Sequence, residues 1–328
     1  MAASYDAVIV VSFGGPEGPD DVLPFLENVT RGRGVPAERL RLVAKQYDAL
    51  GGVSPINGQN RALVAALDAE LVRAGHSLPV YWGNRNWHPF LVDVVRQMRD
   101  DGVERALAFV TSGFSSYSSC RQYLENIEAA RAEVGPGAPV IDKIRQYYDH
   151  PGYVGPFARS LGAALETVPV GAHVVCTAHS LPLAMAEGSD YVAQLRETER
   201  LVVEAGAPGH PHSLAYTSRS GAPTQPWLEP DIGVRLDALA AEGVPGVVVA
   251  PIGFVSDHME VIQDLDVVAS ARAASLGLPF ARAATPGTDP EFVAMIRELV
   301  EERLDPSLPR RALGTLGVRP DVCPGCCR

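Results

Sequence analysis

The feature that most restricts how this chain can fold is an alternation running from one end to the other. Short apolar runs rich in β-branched residues fall at 7–11, 78–82, 106–110, 140–141, 173–177, 212–216, 247–251 and 279–281. Between them lie longer stretches with helical periodicity, at 60–74, 91–101, 120–133, 155–166, 191–205, 232–242, 261–276 and 289–304. A run too short for a helix and apolar along its whole length reads as a strand buried on both faces, which is the habit of parallel sheets covered by helices. The predicted fold class is α/β.

The order of signals repeats. Asp6-Ala-Val-Ile-Val-Val-Ser-Phe-Gly-Gly-Pro16 is matched by Ala172-His-Val-Val-Cys-Thr-Ala-His-Ser-Leu-Pro182, each a strand running into a turn closed by proline. Farther on, Gly102-Val103 leads into Thr111-Ser-Gly-Phe-Ser-Ser116, and Gly243-Val244 leads into Pro251-Ile-Gly-Phe-Val-Ser256. Two matches in one order predict a duplication: two similar doubly wound, Rossmann-like domains, each with a parallel four-stranded sheet flanked by helices. At about 150 residues per domain, 328 residues suit that number. The seam is expected near His150-Pro151-Gly152, giving domains at 1–150 and 151–305 and a proline-punctuated tail at 306–328 that needs an external reason to be ordered.

Composition limits the function. With 46% hydrophobic and 20% charged residues the chain is globular rather than disordered. Its net charge of −11 repels nucleic acid and anionic lipid, so neither is an expected partner. No stretch approaches the ~18 uninterrupted apolar residues of a membrane span, and the start lacks the basic and apolar regions of a signal peptide, so a cytoplasmic location is expected. In that compartment five cysteines, Cys120, Cys176, Cys323, Cys326 and Cys327, point to ligation or packing rather than disulfides.

In open α/β sheets ligands bind beyond the carboxyl ends of strands. No G-x-G-x-x-G or Walker pattern stands there, and Pro16 removes an amide that a phosphate cradle would use. One strand instead ends on His179. Another leads into Gly253-Phe-Val-Ser-Asp-His-Met-Glu260, with Asp257, Glu260 and Asp264 spaced to fall on one stripe of a helix. An imidazole facing carboxylates would suit a divalent cation and proton movement, whereas an acidic first turn is also ordinary helix chemistry. Trp87 and Trp227 lie in loops fit to grip a flat apolar ligand, and Arg31 and Arg33 form either a solvated turn or a carboxylate-binding fork.

Taken together, Ser12-Phe-Gly-Gly-Pro16, Gly51-Gly-Val-Ser-Pro55, Asn86-Trp-His-Pro89, Thr177-Ala-His-Ser-Leu-Pro182, Tyr216-Thr-Ser-Arg-Ser-Gly221, Pro226-Trp-Leu-Glu-Pro230 and Phe254-Val-Ser-Asp-His-Met-Glu260 resemble the ferrochelatase family, in family order over about residues 5 to 305. The resemblance implies a chelatase-like fold and insertion of ferrous iron, the substrate metal, into a porphyrin. It implies that His179 faces the macrocycle centre and that Glu260 is the carboxylate opposite this histidine, the two acting as catalytic and Fe²⁺-handling groups. Asp264 would continue the acidic path, and Val268 would end it. Phe13, Arg31, Ser54, Tyr123 and Trp227 would contact a porphyrin bent at its rim. The polar segment 24–52 resembles soluble bacterial relatives acting on coproporphyrin III rather than membrane-bound ones acting on protoporphyrin IX. The tail resembles members holding a [2Fe-2S] cluster, with Cys323, Cys326 and Cys327 joining Cys120 as ligands and pinning the tail to the first domain, while Cys176 is core. A zinc site, or oxidised tail thiols, is the other reading of those cysteines.

Enzymes of haem synthesis are the transient partners this resemblance implies. Three alternatives stay open: a protoporphyrin IX ferrochelatase, a cobalt or nickel chelatase of a reduced tetrapyrrole, and a non-catalytic haem or iron–sulfur carrier.

Overall fold

The computed structural model describes residues 4–220 and 224–322. Among the described residues eight strands form: β1 (Ala7–Ser12), β2 (Val80–Asn84), β3 (Arg105–Val110), β4 (Val140–Lys143), β5 (His173–His179), β6 (His212–Thr217), β7 (Val247–Ala250) and β8 (Phe280–Arg282). They make two parallel four-stranded sheets, ordered β2-β1-β3-β4 and β6-β5-β7-β8. Renumbered within its own half, the second order is the first, so the duplicated signals in the sequence correspond to a duplicated topology. Helices flank both sheets, and the expected α/β class and doubly wound, four-stranded sheets are found.

The central strands have no solvent-facing side. Every residue of β1 and of β7 is buried, which is why their sequences, AVIVVS and VVVA, carry no polar alternation. Ile9 sits opposite Tyr81 of β2 and Ala108 of β3, and Cys176 sits opposite Leu214 of β6 and Ala250 of β7. One face of the first sheet packs Ile9, Val11 and Ala108 against Val95, Met98 and Ile127 of its helices. In the second, Val175, Val247 and Val249 pack against Leu236, Leu265 and Ala269. Truncating any of the larger of these side chains to alanine costs about 2–5 kcal/mol in such cores.

The chain divides into two compact units. The first gathers residues up to Thr111 with Gln122–Ile144 and Val300–Ser307; the second gathers Ser112–Arg121, Arg145–Leu299 and the chain from Leu308 onward. Within the first unit the late segment is tied by Glu301 to His76 (3.0 Å) and by Arg303 to the Tyr5 hydroxyl (2.6 Å). The described tail, 308–322, has no strand or helix, yet its polar groups are met within the second unit. Leu313 donates to the Asp149 carbonyl, Thr315 donates from its amide and hydroxyl to Glu197, and Arg319 pairs with Asp190 at 2.8 Å. The anchoring of the tail to the first domain that was expected turns on Cys323, Cys326 and Cys327, which lie outside the described residues.

Four elements depart from the sequence-based expectation. Helices at Pro19–Val29 and Ala37–Asp48 were not expected, since Pro24 interrupts the first and the second is mostly polar. The stretches 120–133 and 261–276 are not uniform α-helices: each holds a wider π turn, Tyr117–Arg121 and Ile262–Ala269. No helix among the described residues is long and apolar enough to cross a membrane.

Candidate active site

His179 is the last residue of β5, and the loop to Glu260 follows the neighbouring strand β7. Chain order changes direction between these two strands, so both groups stand at the switch point where such sheets bind ligands. Gly253 brings the loop in. Its amide donates to the Thr177 carbonyl at 3.0 Å, and a Cβ there would lie 2.6 Å from that of Ala178. Only glycine lets the backbone approach β5 so closely, one residue short of His179.

The histidine ring is oriented by its own neighbour. Nδ1 lies 2.6 Å from the Ser180 carbonyl oxygen, which can only accept, so Nδ1 carries the proton. Nε2 is left with its lone pair in the neutral ring and lies 3.6 Å from Glu260 Oε2. The Tyr191 hydroxyl donates to the His179 carbonyl at 2.9 Å and holds the strand end. Both side chains remain reachable, at 33% exposure for His179 and 52% for Glu260.

The expected row of three carboxylates is shorter. His258 is extended (φ −114°, ψ 177°), the helix begins at Met259, and Asp257 therefore stands before it. Its carboxylate accepts from Arg282 of β8 at 3.0 Å and from Thr285 at 3.2 Å, which commits it to an ion pair. Asp264, inside the π turn, stays in line with the pair. Its carboxylate accepts from the Ser218 hydroxyl at 2.5 Å. Ser218 has a φ of +63°, a conformation unusual for a residue with a Cβ, and this points the hydroxyl at Asp264. Burial raises the Asp264 carboxyl to about 6, with the charges of Glu260 and Asp231 adding to the rise and Ser218 and His179 opposing it. A cavity of about 450 Å³ opens beside it, bounded by Thr217, Asp231, Val268 and Arg272. Burial lowers the basicity of His258, which packs edge-on against Phe254 at 5.1 Å.

The remaining expected contacts are placed as follows. In the first unit Phe13 is 37% exposed just past β1 and meets Phe25 edge to face at 6.3 Å. The Arg85 guanidinium stands 5.6 Å from the Phe13 ring and 4.9 Å from that of Tyr123, a buried phenol whose pKa burial raises. Arg85 was missed in the sequence, although it immediately precedes the Asn86-Trp-His-Pro89 motif. Arg31 is exposed on the turn after the first helix. Ser54 is only 3% exposed, packed against Gly15, with its amide bound to the Pro16 carbonyl. In the second unit Trp227 is 8% exposed, held by a bridge to Pro182, and its buried indole N–H has no hydrogen-bond partner among the described residues.

Cys120 lies within the π turn Tyr117–Arg121, 1% exposed, and its sulfur accepts from the Gln146 side-chain amide at 2.9 Å. Cys176 is wholly buried inside β5, where burial pushes its thiol well above the usual range. Cys323, Cys326 and Cys327 lie outside the described residues.

A family model described as Ferrochelatase matches residues 5–304. The chain belongs to the ferrochelatase family. Among its relatives, a protein of Frankia alni named coproporphyrin III ferrochelatase is 56% identical over 99% of this chain and 87% of its own length. A Streptomyces griseus protein of the same name is 51% identical over 99% and 94%, and a Rhodopirellula baltica ferrochelatase is 53% identical over 98% and 93%. Solved structures of SirB from Bacillus subtilis with Fe³⁺ (TM-score 0.59, 11% identity, 93% of this chain and 97% of that one) and of CbiX (0.53, 14%, 92% and 100%) share the fold. The ferrochelatase motifs noted in the sequence thus fall on the switch point of the second sheet and on the aromatic loops of the first.

Proposed function

We propose that this chain is an enzyme that inserts ferrous iron into coproporphyrin III, giving coprohaem and two protons, and that it does so in the cytoplasm as a step of haem biosynthesis. The observation that carries the chemistry is the His179 ring, whose Nδ1 is committed to the Ser180 carbonyl while Nε2 faces Glu260. The choice of coproporphyrin is supported by relatives of that name at 51–56% identity over nearly the whole chain.

Metallation of a neutral porphyrin releases two pyrrole protons, so the reaction needs bases that accept them and a way to pass them on. In this reading His179 Nε2 takes a proton from the macrocycle, and Glu260 stabilises the imidazolium that forms. Both groups also suit the incoming Fe²⁺, a cation that neutral imidazole and carboxylate bind. Asp264 receives the proton next. The porphyrin contacts assigned to Phe13, Arg31, Ser54, Tyr123 and Trp227 belong to the same proposal, as do transient encounters with other haem-pathway enzymes.

The raised Asp264 carboxyl fixes the sign of a pH effect. Metallation should rise with pH through about 6, as Asp264 loses its proton and becomes able to accept another. The rate of Asp264→Asn should be lower and lose that limb of the profile; an unchanged profile would remove Asp264 from the path. Stability runs the other way. Between the ordinary carboxyl value of 3.8 and about 6 the native state holds a proton that the unfolded chain has released, so ionisation destabilises the fold as pH rises. Asp264→Asn should therefore raise Tm at neutral pH, and the gain should vanish near pH 4.

The same reading assigns a [2Fe-2S] cluster to Cys120, Cys323, Cys326 and Cys327, a set of four thiolates. The described donor fits it. The Cys120 sulfur is buried beside an N–H donor, and a chain of contacts leads from it to the tail: Arg145, adjacent to Gln146, donates to the Arg311 carbonyl at 2.9 Å, and Arg310 pairs with Asp321, two residues before Cys323. Bound there, a cluster supplies a covalent clasp and a store for one electron.

The function is tested by anaerobic assay with ferrous iron, offering coproporphyrin III and protoporphyrin IX separately and following the collapse of the free-base visible bands. Faster metallation of coproporphyrin is expected. Preference for protoporphyrin would make the chain a terminal haem synthase, and metallation of neither would return the carrier and the cobalt or nickel chelatase.

A further inference from the structure

We infer that the Arg85 guanidinium holds one carboxylate of the porphyrin, beside the rings of Phe13 and Tyr123; this rests on the coproporphyrin reading made above and adds to it a residue that selects for acidic side chains on the macrocycle. All three residues belong to the first unit. Arg85 is half-buried, its guanidinium carbon lies 5.6 Å from the centre of the Phe13 ring and 4.9 Å from that of Tyr123, and no carboxylate pairs with it among the described residues. Its Nε is buried without an acceptor, and so is Nδ2 of the adjacent Asn86.

An arginine left in this state breaks the habit of its surroundings. In the same unit Arg61 meets Glu17 at 2.7 Å and Arg105 meets Asp142 at 2.6 Å. Asp21 is bonded into the loop that follows Arg85, yet it accepts from the Trp87 indole at 3.3 Å and from the Glu17 amide at 3.0 Å. Taking a cation part-way out of water without an anion costs free energy, and contact with aromatic faces returns only part of it. Guanidinium and amide nitrogens donate and cannot accept, so the group that completes them is an acceptor, and the charge asks that it be an anion.

The backbone that carries these donors is already fixed. The Arg85 amide donates to the Ser12 carbonyl at 3.0 Å and the Asn86 amide to the Phe13 carbonyl at 3.1 Å, while the Asn28 side chain donates to the Asn86 carbonyl at 2.8 Å. Flanking rings restrict the planar guanidinium, so less rotamer freedom is lost when its N–H groups grip a carboxylate in parallel. Phe13, 37% exposed, offers apolar surface next to that fork. A flat apolar body with carboxylates at its rim satisfies both; a flat uncharged ligand would leave the cation unmatched.

The test uses the full-length protein beside Arg85→Met and Arg85→Lys. Binding of coproporphyrin III is followed by fluorescence quenching over a range of salt concentrations, and turnover is measured anaerobically with ferrous iron. Loss of a charge-assisted contact should weaken binding and raise KM about 10–100-fold in Arg85→Met, with a far smaller fall in kcat, and Arg85→Lys should lie between it and the native protein. Added salt should weaken binding less steeply in Arg85→Met, because one ion pair is gone. Unchanged affinity in Arg85→Met, or weaker binding that keeps the native salt dependence, would overturn the role of Arg85 and leave the proposed function standing. Native protein that neither binds nor metallates coproporphyrin III would overturn both. Should Arg85→Met not fold, the neutral and polar Arg85→Gln takes its place under the same outcomes.

Discussion

Replacing His179 with alanine is expected to stop metallation while porphyrin still binds. The ring's Nε2 faces Glu260, because Nδ1 is spent on the Ser180 carbonyl, and burial against Phe254 lowers the basicity of the nearby His258. Removing a positioned proton acceptor typically lowers a rate by about 10²–10⁴-fold. The strand that carries it should not suffer, since β5 is paired by backbone on both sides and the ring is a third exposed. Glu260→Ala should fall in the same range, for without the carboxylate nothing at 3.6 Å offsets the imidazolium. The measurement pairs turnover under anaerobic conditions with porphyrin binding by fluorescence quenching: kcat should collapse in both variants and the binding curve should not move. Near-normal turnover in both would remove the mechanism.

The second large effect is spectroscopic. Cys120→Ser is expected to yield a colourless protein lacking iron and sulfide, because a serine hydroxyl is a poor substitute for thiolate in holding a cluster. The substitution is small enough to spare the fold, since the hydroxyl still accepts from Gln146 where the sulfur did. Cys176→Ala is the paired control. That residue is sealed inside β5 with an inert thiol, so its loss should leave the colour and cost only the packing of one sulfur. A red-brown spectrum unchanged in Cys120→Ser would exclude Cys120 as a ligand.

The strands were legible because burial on both faces leaves a continuous apolar signature: nothing but a buried strand explains Val247 to Ala250 in that setting. The position of His179 followed from the same logic, as the first polar side chain past such a run. What stayed hidden depended on pairings distant in sequence or on irregular backbone. The helical stripe drawn through Asp257 assumed a helix that starts two residues too early, and the partner that claims Asp257, Arg282, is 25 residues away. Both π turns break a 3.6-residue count without changing the apolar pattern, so no periodicity reveals them. Arg85 and Gln146 are ordinary polar residues in sequence. Only the folded chain puts one guanidinium beside two aromatic rings and one amide beside a sulfur.

The late segment Val300–Ser307 has a consequence for how the protein is made. Tyr5, next to the first strand, receives Arg303, and His76 receives Glu301, so these partners are synthesised 298 and 225 residues apart. Domains commonly fold as they leave the ribosome, the N-terminal one first. Here the emerging amino-terminal half can gather its sheet early, but it holds an unfilled place until Val300–Ser307 have been made. The half that is translated first thus closes only after most of the other has been made, because Arg145–Leu299 precede Val300–Ser307 in the chain.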